Sequence, residues 1–218
     1  MSTTSRAAPS ADRIAVVAGL RTPFTKAGTA LRSLRTVDLG ATVVKELMAR
    51  SELAPGEVTL CVYGQVVPSL DWLNVAREVV LRAGLPKSTD AFSVSRACAT
   101  SLQAMTTAAE SMLAGQHDVA VVGGADSMSD VPLGVSRRLT AALLQAQKGK
   151  SIADKIKAFS KLSPRDLLPP VPGFSREPTT GEQMGEAAEK MAKLNGITRE
   201  EQDRIAHLSH VNAARAWA

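Results

Sequence analysis

The sequence is poor in cysteine and in aromatic residues. Its 218 residues include only two cysteines, and 3% of its side chains are aromatic. Two cysteines cannot form the disulfide framework of a small secreted domain, which favours a reducing compartment. No Cys-x-x-Cys pair or His/Cys cluster occurs, so we expect no metal site. The core must be filled by Ala, Val, Leu and Met, in a composition that is ordinary for an α/β protein.

Long apolar runs and a secretory leader are also missing. No apolar run approaches the ~20 residues that a membrane-spanning helix needs, and residues 1–12 lack the apolar segment of a signal peptide. We expect these first residues to form a flexible tail rather than a transit peptide. The expected location is cytoplasmic rather than mitochondrial. The net charge of +5 is mild, so its distribution matters more than its size.

Predicted strands and helices alternate over residues 13–128. Short β-branched runs predict strands, and apolar residues at helical spacing predict helices between them. This alternation is typical of a mostly parallel sheet with helices on both faces, so the predicted fold class is α/β. Ligands of such sheets bind beyond the carboxyl ends of the strands. The predicted strands are 13–20, 59–67, 91–97 and 118–128, and the predicted helices are 36–51, 73–84 and 99–115.

The pattern changes after residue 128. Prolines and positive charges dominate residues 129–181, which we interpret as a loop domain inserted into the α/β core. Residues 182–218 follow as helices that return to that core. Thr198 and Glu201 predict a capping box at the start of the last helix. Short helices are expected over 136–147 and 151–160, and the returning helices over 181–196 and 197–218.

Cys98 lies between a predicted strand and a predicted helix. Unpaired backbone N–H groups and the positive end of the helix dipole stabilise a thiolate at a helix start. The small residues that follow, Ala99, Thr100 and Ser101, would let a substrate carbonyl approach the sulfur and leave N–H groups for an oxyanion. Spacing alone leaves a packed, inert cysteine open as the alternative. We interpret Cys61, inside an apolar strand, in that second way.

Five motifs occur in a fixed order along the chain: "RTPF" (21–24), "GQV" with "LNVAR" (64–66 and 73–77), "SRACATSLQA" (95–104), "GGADSMS" (123–129) and a helical segment over 184–216. Together they resemble the motifs of the thiolases, transferases that act on acyl-coenzyme A. Leu73 and Asp126 depart from the pattern, since glutamine and glutamate are common there. The resemblance implies the N-terminal half of a thiolase fold with an inserted loop domain.

The form of these motifs resembles that in the 3-ketoacyl-CoA thiolases of fatty-acid β-oxidation, which implies substrates with medium to long acyl chains. It is less similar to that in the biosynthetic acetyl-CoA acetyltransferases. The resemblance implies that Cys98 attacks the 3-keto carbon and holds the acyl group as a thioester until a second coenzyme A removes it. The Cys98 backbone N–H would help to form an oxyanion hole, and Gln183 and Met184 would lie near the pantetheine or acyl chain. Coenzyme A would be a substrate, with no further cofactor.

The resemblance also implies partners. Thiolases of this subclass pair with a multifunctional hydratase/dehydrogenase subunit, and thiolases assemble as homodimers or homotetramers. Decarboxylating ketoacyl synthases, which also use a cysteine at this place, are a rival within enzymes. A half-thiolase that serves as a non-catalytic binding or assembly module is the alternative outside catalysis.

Three further motifs of the family are missing from the sequence: Gly-His-Pro, Asn-Glu-Ala-Phe and Cys-x-Gly. They would supply the base, an amide that orients water, and the cysteine that exchanges the substrate α-proton. His117 is expected in a solvated turn, and His207 and His210 lie on the last predicted helix without indicating a metal site. We therefore expect a truncated chain or a split gene, an absent C-terminal thiolase domain, and negligible thiolysis by this chain alone.

The inserted loop domain carries eight positive charges against one negative charge, Asp154, over residues 137–165. A solvated face is the plainest interpretation. The alternatives are attraction for the phosphates of coenzyme A and docking to the multifunctional subunit or to an anionic membrane. Nucleic acid is not expected, because no recognised module is present. The charges are Arg137, Arg138, Lys148, Lys150, Lys155, Lys157, Lys161 and Arg165, interspersed with Ala141, Leu143, Leu144, Ile152, Ile156 and Phe159.

Overall fold

A computed structural model describes residues 13–132, 134–168 and 176–217. The chain divides into two compact units, Met1–Pro132 and Leu133–Ala218. The boundary between them lies four residues after the predicted start of the inserted loop domain. The predicted tail over 1–12 lies outside the described residues.

The first unit is built on three parallel strands in the order β2-β1-β3: β1 (Leu60–Gly64), β2 (Asp90–Val94) and β3 (Ala120–Gly124). The central strand, β1, is buried over its whole length. Gly64, its last residue, lies opposite Val94 and Gly124, so the three strands end at one edge. The predicted parallel α/β sheet is confirmed for these three strands.

Helices cover both faces of this sheet, as predicted. On one face, α1 (Thr36–Ser51) and α2 (Val75–Ala83) pack against alternate residues of the central strand, Cys61 and Tyr63. On the other face, α3 (Thr100–Leu113) packs against Leu60 and Val62 through small residues, Ala104 and Ala108. Successive side chains of a strand point to opposite faces, and both sets are apolar because both faces are covered.

The prediction of a strand over 13–20 is wrong. The structure shows no regular secondary structure there, and the side chains of Val16 and Val17 are 75% and 88% exposed. A strand needs a neighbour for its backbone N–H and C=O groups. None of the described strands pairs with this segment. Its apolar residues alone therefore do not make it a β-strand.

The second unit is helical, and its described part contains no strand. It begins with α4 (Arg137–Lys148) and α5 (Ile152–Phe159), which pack on each other through small buried residues, Ala142, Ala146 and Ala158. A short 3-10 helix, Pro164–Leu167, follows. After it come α6 (Met184–Leu194) and α7 (Arg199–Trp217), with no buried residue in either.

The helix starts of the second unit follow their sequence signals. The Ser136 hydroxyl accepts a hydrogen bond from the Leu139 N–H at 3.1 Å and caps α4. The predicted capping box before α7 is confirmed, because Thr198 and Glu201 exchange hydrogen bonds of 3.0 and 3.2 Å. Nowhere in the described ranges is a helix both long and apolar enough to cross a bilayer.

Candidate functional site

Cys98 is exposed in the turn between β2 and α3, at the edge where the three strands end. The other cysteine, Cys61, is fully buried in the central strand. Burial raises the pKa of the Cys61 thiol to about 12, because a thiolate loses its hydration in the apolar interior. The prediction that Cys61 is a packed core residue is confirmed. The accessible thiol of the described chain is that of Cys98.

The turn that carries Cys98 is held by hydrogen bonds around it. The Thr100 hydroxyl accepts the Arg96 N–H at 2.8 Å and donates to the Ala97 C=O at 2.7 Å. The Ala99 N–H donates to the Arg96 C=O at 3.0 Å. Ala97 has a φ of 46°, in the left-handed region, which costs an L-residue about 1 kcal/mol or more. Helix α3 begins one residue later than predicted, with Ala99 as its N-cap.

Glycines at the ends of two strands let α3 approach the sheet closely. A β-carbon on Gly64 would overlap the Thr100 methyl group and lie 2.9 Å from the Val94 C=O. A β-carbon on Gly124 would lie 2.9 Å from the Ser101 Oγ. The first residues of α3 therefore rest directly on the strand ends. In the sequence these glycines stand out only as motif residues, and no local pattern predicts this contact.

Asp126 links the loops that follow β1 and β3. Its carboxylate accepts the Val66 N–H at 3.0 Å and the Val67 N–H at 2.8 Å. A carboxylate that accepts two backbone N–H groups makes charge-assisted hydrogen bonds. The aspartate side chain is thus long enough to reach both N–H groups from this position, where the family pattern has glutamate.

Asn74 of the "LNVAR" motif has a structural role. Its Oδ1 accepts the Arg77 N–H at 3.1 Å, which caps α2, and its Nδ2 donates to the Ala91 C=O at 2.9 Å. The Ser93 hydroxyl also donates to the Asn74 Oδ1 at 3.1 Å. This motif therefore fastens α2 to the edge strand β2, which leads into the Cys98 turn.

Trp72 lies between two arginines in the loop before α2. The guanidinium carbons of Arg35 and Arg82 lie 5.0 and 5.2 Å from its ring centroid, within the range of cation–π attraction. Arg35 also pairs with Asp71 at 3.0 Å, and Arg82 with Asp38 at 2.6 Å. This cluster ties the loop to α1 and α2, and local sequence patterns gave no sign of it.

The other candidate residues are His117 in the first unit and Gln183 and Met184 in the second. His117 follows α3 with intermediate exposure, and its Nδ1 lies 3.1 Å from the Thr59 hydroxyl. Among the residues that the structure describes, no group of His, Cys, Asp and Glu could hold a metal. Gln183 and Met184 belong to the second unit, where Gln183 is the N-cap of α6 and Met184 is 59% exposed. Their contact with substrate stays a prediction.

Known proteins share both the sequence and the fold of this chain. The family model for the N-terminal domain of thiolase matches residues 14–218. The 3-ketoacyl-CoA thiolases of Cronobacter sakazakii and Escherichia fergusonii are 52% and 51% identical to it over 207 residues, which is 95% of this chain and 47% of each relative. The chain thus spans about half the length of the curated relatives it matches.

Two solved structures are similar to this fold. The acetyl-CoA acetyltransferase of Bacillus anthracis matches with a TM-score of 0.68 and 29% identity, over 87% of this chain and 44% of that one. The Acat5 thiolase of Ascaris suum, solved in complex with coenzyme A, matches with a TM-score of 0.68 and 28% identity, over 91% and 47%. Together with the family match over nearly the whole chain, these similarities show that the chain belongs to the thiolase family.

Proposed function

We propose that this chain supplies the acyl-accepting part of a 3-ketoacyl-CoA thiolase, with Cys98 as the nucleophile. The observation that carries the proposal is the exposed sulfur of Cys98 beyond the ends of three parallel strands, while the second cysteine is buried. Ligands of open parallel sheets bind at that edge. An accessible thiol on a constrained turn before a helix suits covalent acyl transfer.

The proposed reaction has two halves. The Cys98 thiolate attacks carbon 3 of a 3-ketoacyl-CoA, the bond between carbons 2 and 3 breaks, and its electron pair leaves on carbon 2. That carbon takes up a proton and departs as acetyl-CoA, while the acyl group stays on Cys98 as a thioester. The thiolate of a second coenzyme A then attacks the thioester, and acyl-CoA leaves with Cys98 restored as a thiolate.

Other groups complete the proposed site. The Cys98 backbone N–H contributes to an oxyanion hole, and Gln183 and Met184 contact the pantetheine or acyl chain. Coenzyme A acts as a substrate, and no further cofactor takes part. The base, the amide that orients water, and the cysteine that exchanges the α-proton come from residues outside these 218, because the three family motifs that hold them do not occur in this sequence.

The proposed substrate class rests on curated relatives that are about half identical to this chain over the aligned residues. Proteins named 3-ketoacyl-CoA thiolase are 50–52% identical to it, whereas the solved acetyl-CoA acetyltransferase is 29% identical. This difference supports 3-ketoacyl-CoA thioesters as the substrate class over acetoacetyl-CoA alone. We propose that their acyl chains are medium to long.

Partners and location are further parts of the proposal. We propose that the protein is cytoplasmic and assembles as a homodimer or homotetramer. It works with a multifunctional hydratase/dehydrogenase subunit and does not bind nucleic acid. Exposed Ile152 and Ile156, one turn apart on α5 and 78% and 68% exposed, lie beside the exposed Lys155 and Lys157. An apolar stripe flanked by lysines supports peripheral contact with an anionic membrane.

Acyl exchange from radiolabelled octanoyl-CoA tests the proposed function. This step is the reverse of the second half-reaction, and it needs no group that removes the α-proton. Because the base lies outside these 218 residues, we expect slow labelling of the wild-type chain over a prolonged incubation, with the label released by hydroxylamine as a thioester should be, and no label on the Cys98→Ser variant. Uptake by the wild-type chain that stays no greater than that of Cys98→Ser after prolonged incubation would overturn the nucleophile role and favour a non-catalytic binding or assembly module.

A further inference from the structure

Thr100 connects the Cys98 turn to the sheet through both parts of its side chain. Its hydroxyl bridges the Arg96 N–H and the Ala97 C=O, at 2.8 and 2.7 Å. Its methyl group fills the space over Gly64 that a β-carbon there would occupy. Thr100 is only 4% exposed, whereas residues 95–99 are all exposed. It is therefore the buried anchor of an otherwise exposed turn.

The position of the Cys98 sulfur depends on the backbone of this turn. Ala97, directly before Cys98, has a φ of 46°, a conformation that costs an alanine free energy. A strained residue persists only where its surroundings determine it. The hydrogen bond from the Thr100 hydroxyl to the Ala97 C=O is one such determinant, and the bond that this hydroxyl accepts from Arg96 fixes the residue before it.

We propose that Thr100 is a positioning residue for Cys98: its hydroxyl holds residues 96–98 in the conformation that places the sulfur before the N-terminus of α3. The proposal rests on the proposed function, in which Cys98 accepts the acyl group. Thr100 itself is assigned no contact with the sulfur or with substrate. The hydroxyl sets the geometry of the nucleophile, and the methyl group contributes packing.

Two pairs of variants separate these parts of the side chain. Thr100→Val keeps the shape of threonine and removes the hydroxyl. Thr100→Ser keeps the hydroxyl and removes the methyl, and Thr100→Ala removes both, so Ser and Ala share the packing loss and differ by the hydroxyl. Thr42→Val is the matched control, because the exposed Thr42 hydroxyl also donates to a backbone carbonyl earlier in the chain, that of Asp38 at 2.7 Å, and lies far from the turn in sequence.

The measurement is the rate of alkylation of Cys98 by iodoacetamide at fixed pH in the full 218-residue chain, with thermal unfolding of each variant in parallel. We expect Thr100→Val and Thr100→Ala to react about three- to tenfold more slowly, because a turn that has lost these hydrogen bonds no longer holds the Cys98 side chain exposed in one orientation. Thr100→Ser and Thr42→Val should stay within about twofold of wild type. A merely structural role would be excluded if the two measurements depend on different parts of the side chain. The melting temperature would then fall in the variants that lack the methyl group, Thr100→Ser and Thr100→Ala. The alkylation rate would fall in those that lack the hydroxyl, Thr100→Val and Thr100→Ala.

The proposal is overturned if Thr100→Val reacts at the wild-type rate or faster, or if Thr100→Ser is as slow as Thr100→Ala. Should Thr100→Val not fold, the comparison of Ser with Ala decides the question alone. Alkylation requires no coenzyme A. A wild-type chain that takes no octanoyl label therefore refutes the proposed function and leaves the alkylation result for Thr100 to stand or fall separately.

Discussion

Gly64 at the end of β1 lies directly beneath the Thr100 methyl group at the start of α3, so closely that no β-carbon fits between them. This contact joins the central strand to the helix that follows the Cys98 turn. Residues 36 positions apart in the chain meet here, and the exposed Cys98 lies two residues before the contact.

Replacing Gly64 with alanine should destabilise the first unit by about 1–3 kcal/mol, the usual cost of forcing a methyl group into a filled space. The new β-carbon would overlap the Thr100 methyl group and lie 2.9 Å from the Val94 C=O, which is backbone and cannot rotate away. Urea unfolding measures the loss. Gly56→Ala is the control, since a β-carbon there meets no atom within 4 Å. Equal stability of the two variants would contradict this packing.

Removing the Asp126 carboxylate should loosen the loop after β1. In Asp126→Ala, the Val66 and Val67 N–H groups lose the oxygens that they contact at 3.0 and 2.8 Å. Water can replace the lost acceptor at this exposed loop, so we expect a loss of only about 1 kcal/mol. Hydrogen exchange of the Val66 and Val67 amides should speed up by about fivefold or more, while Asp126→Glu, the family residue, should retain protection. Unchanged exchange in the alanine variant would argue against the link.

Alkaline pH should destabilise the first unit through its buried thiol. Burial raises the pKa of Cys61 from 9.0 to about 12. Burial also raises the pKa of Tyr63, and the negative charge of a Cys61 thiolate raises that pKa further. Above pH 9 the unfolded chain releases the Cys61 proton while the folded chain keeps it. Stability is therefore fully present below pH 9 and falls as pH rises toward 12, by up to about 1.4 kcal/mol per pH unit for this group.

Denaturant unfolding at about pH 8, 9.5 and 10.5 measures that slope. Cys61→Val keeps an apolar side chain of similar size in the strand and should show a shallower decline over the same range. Identical slopes for the variant and the wild type would show that the Cys61 thiol is not the linked group.

Residues 14–20 should exchange their amide hydrogens rapidly in this chain. The structure shows no strand there, and Val16 and Val17 are 75% and 88% exposed. The amides of β1, buried along its length, should be protected by several orders of magnitude in comparison. Hydrogen exchange followed by mass spectrometry distinguishes the two segments, and comparable protection in both would restore the strand that the sequence alone predicts.

Local sequence patterns predicted the elements that local forces decide. The β-branched runs of β1, β2 and β3 and the capping box at Thr198 appear where expected, within a few residues. The segment 13–20 has a similar apolar pattern, but a strand also requires a paired neighbour, which no local pattern can supply.

The contacts that build the site join residues distant in the chain, which local patterns do not reveal. Asp126 accepts N–H groups about 60 residues away, and Trp72 lies between Arg35 and Arg82. The family resemblance predicted Cys98 as the nucleophile, whereas its accessibility, its strained neighbour Ala97 and the hydrogen bonds of Thr100 required the three-dimensional arrangement.

Peptide mass spectrometry that locates the acyl group is the sharpest test of Cys98 as the nucleophile. The chain is incubated with octanoyl-CoA, quenched in acid, digested, and compared with a sample unfolded before incubation. We predict an octanoyl thioester on the peptide that contains Cys98, none on the peptide that contains Cys61, and loss of this preference after unfolding. An acyl group shared equally by the two cysteines in the folded chain, or absent from Cys98, would contradict the assignment.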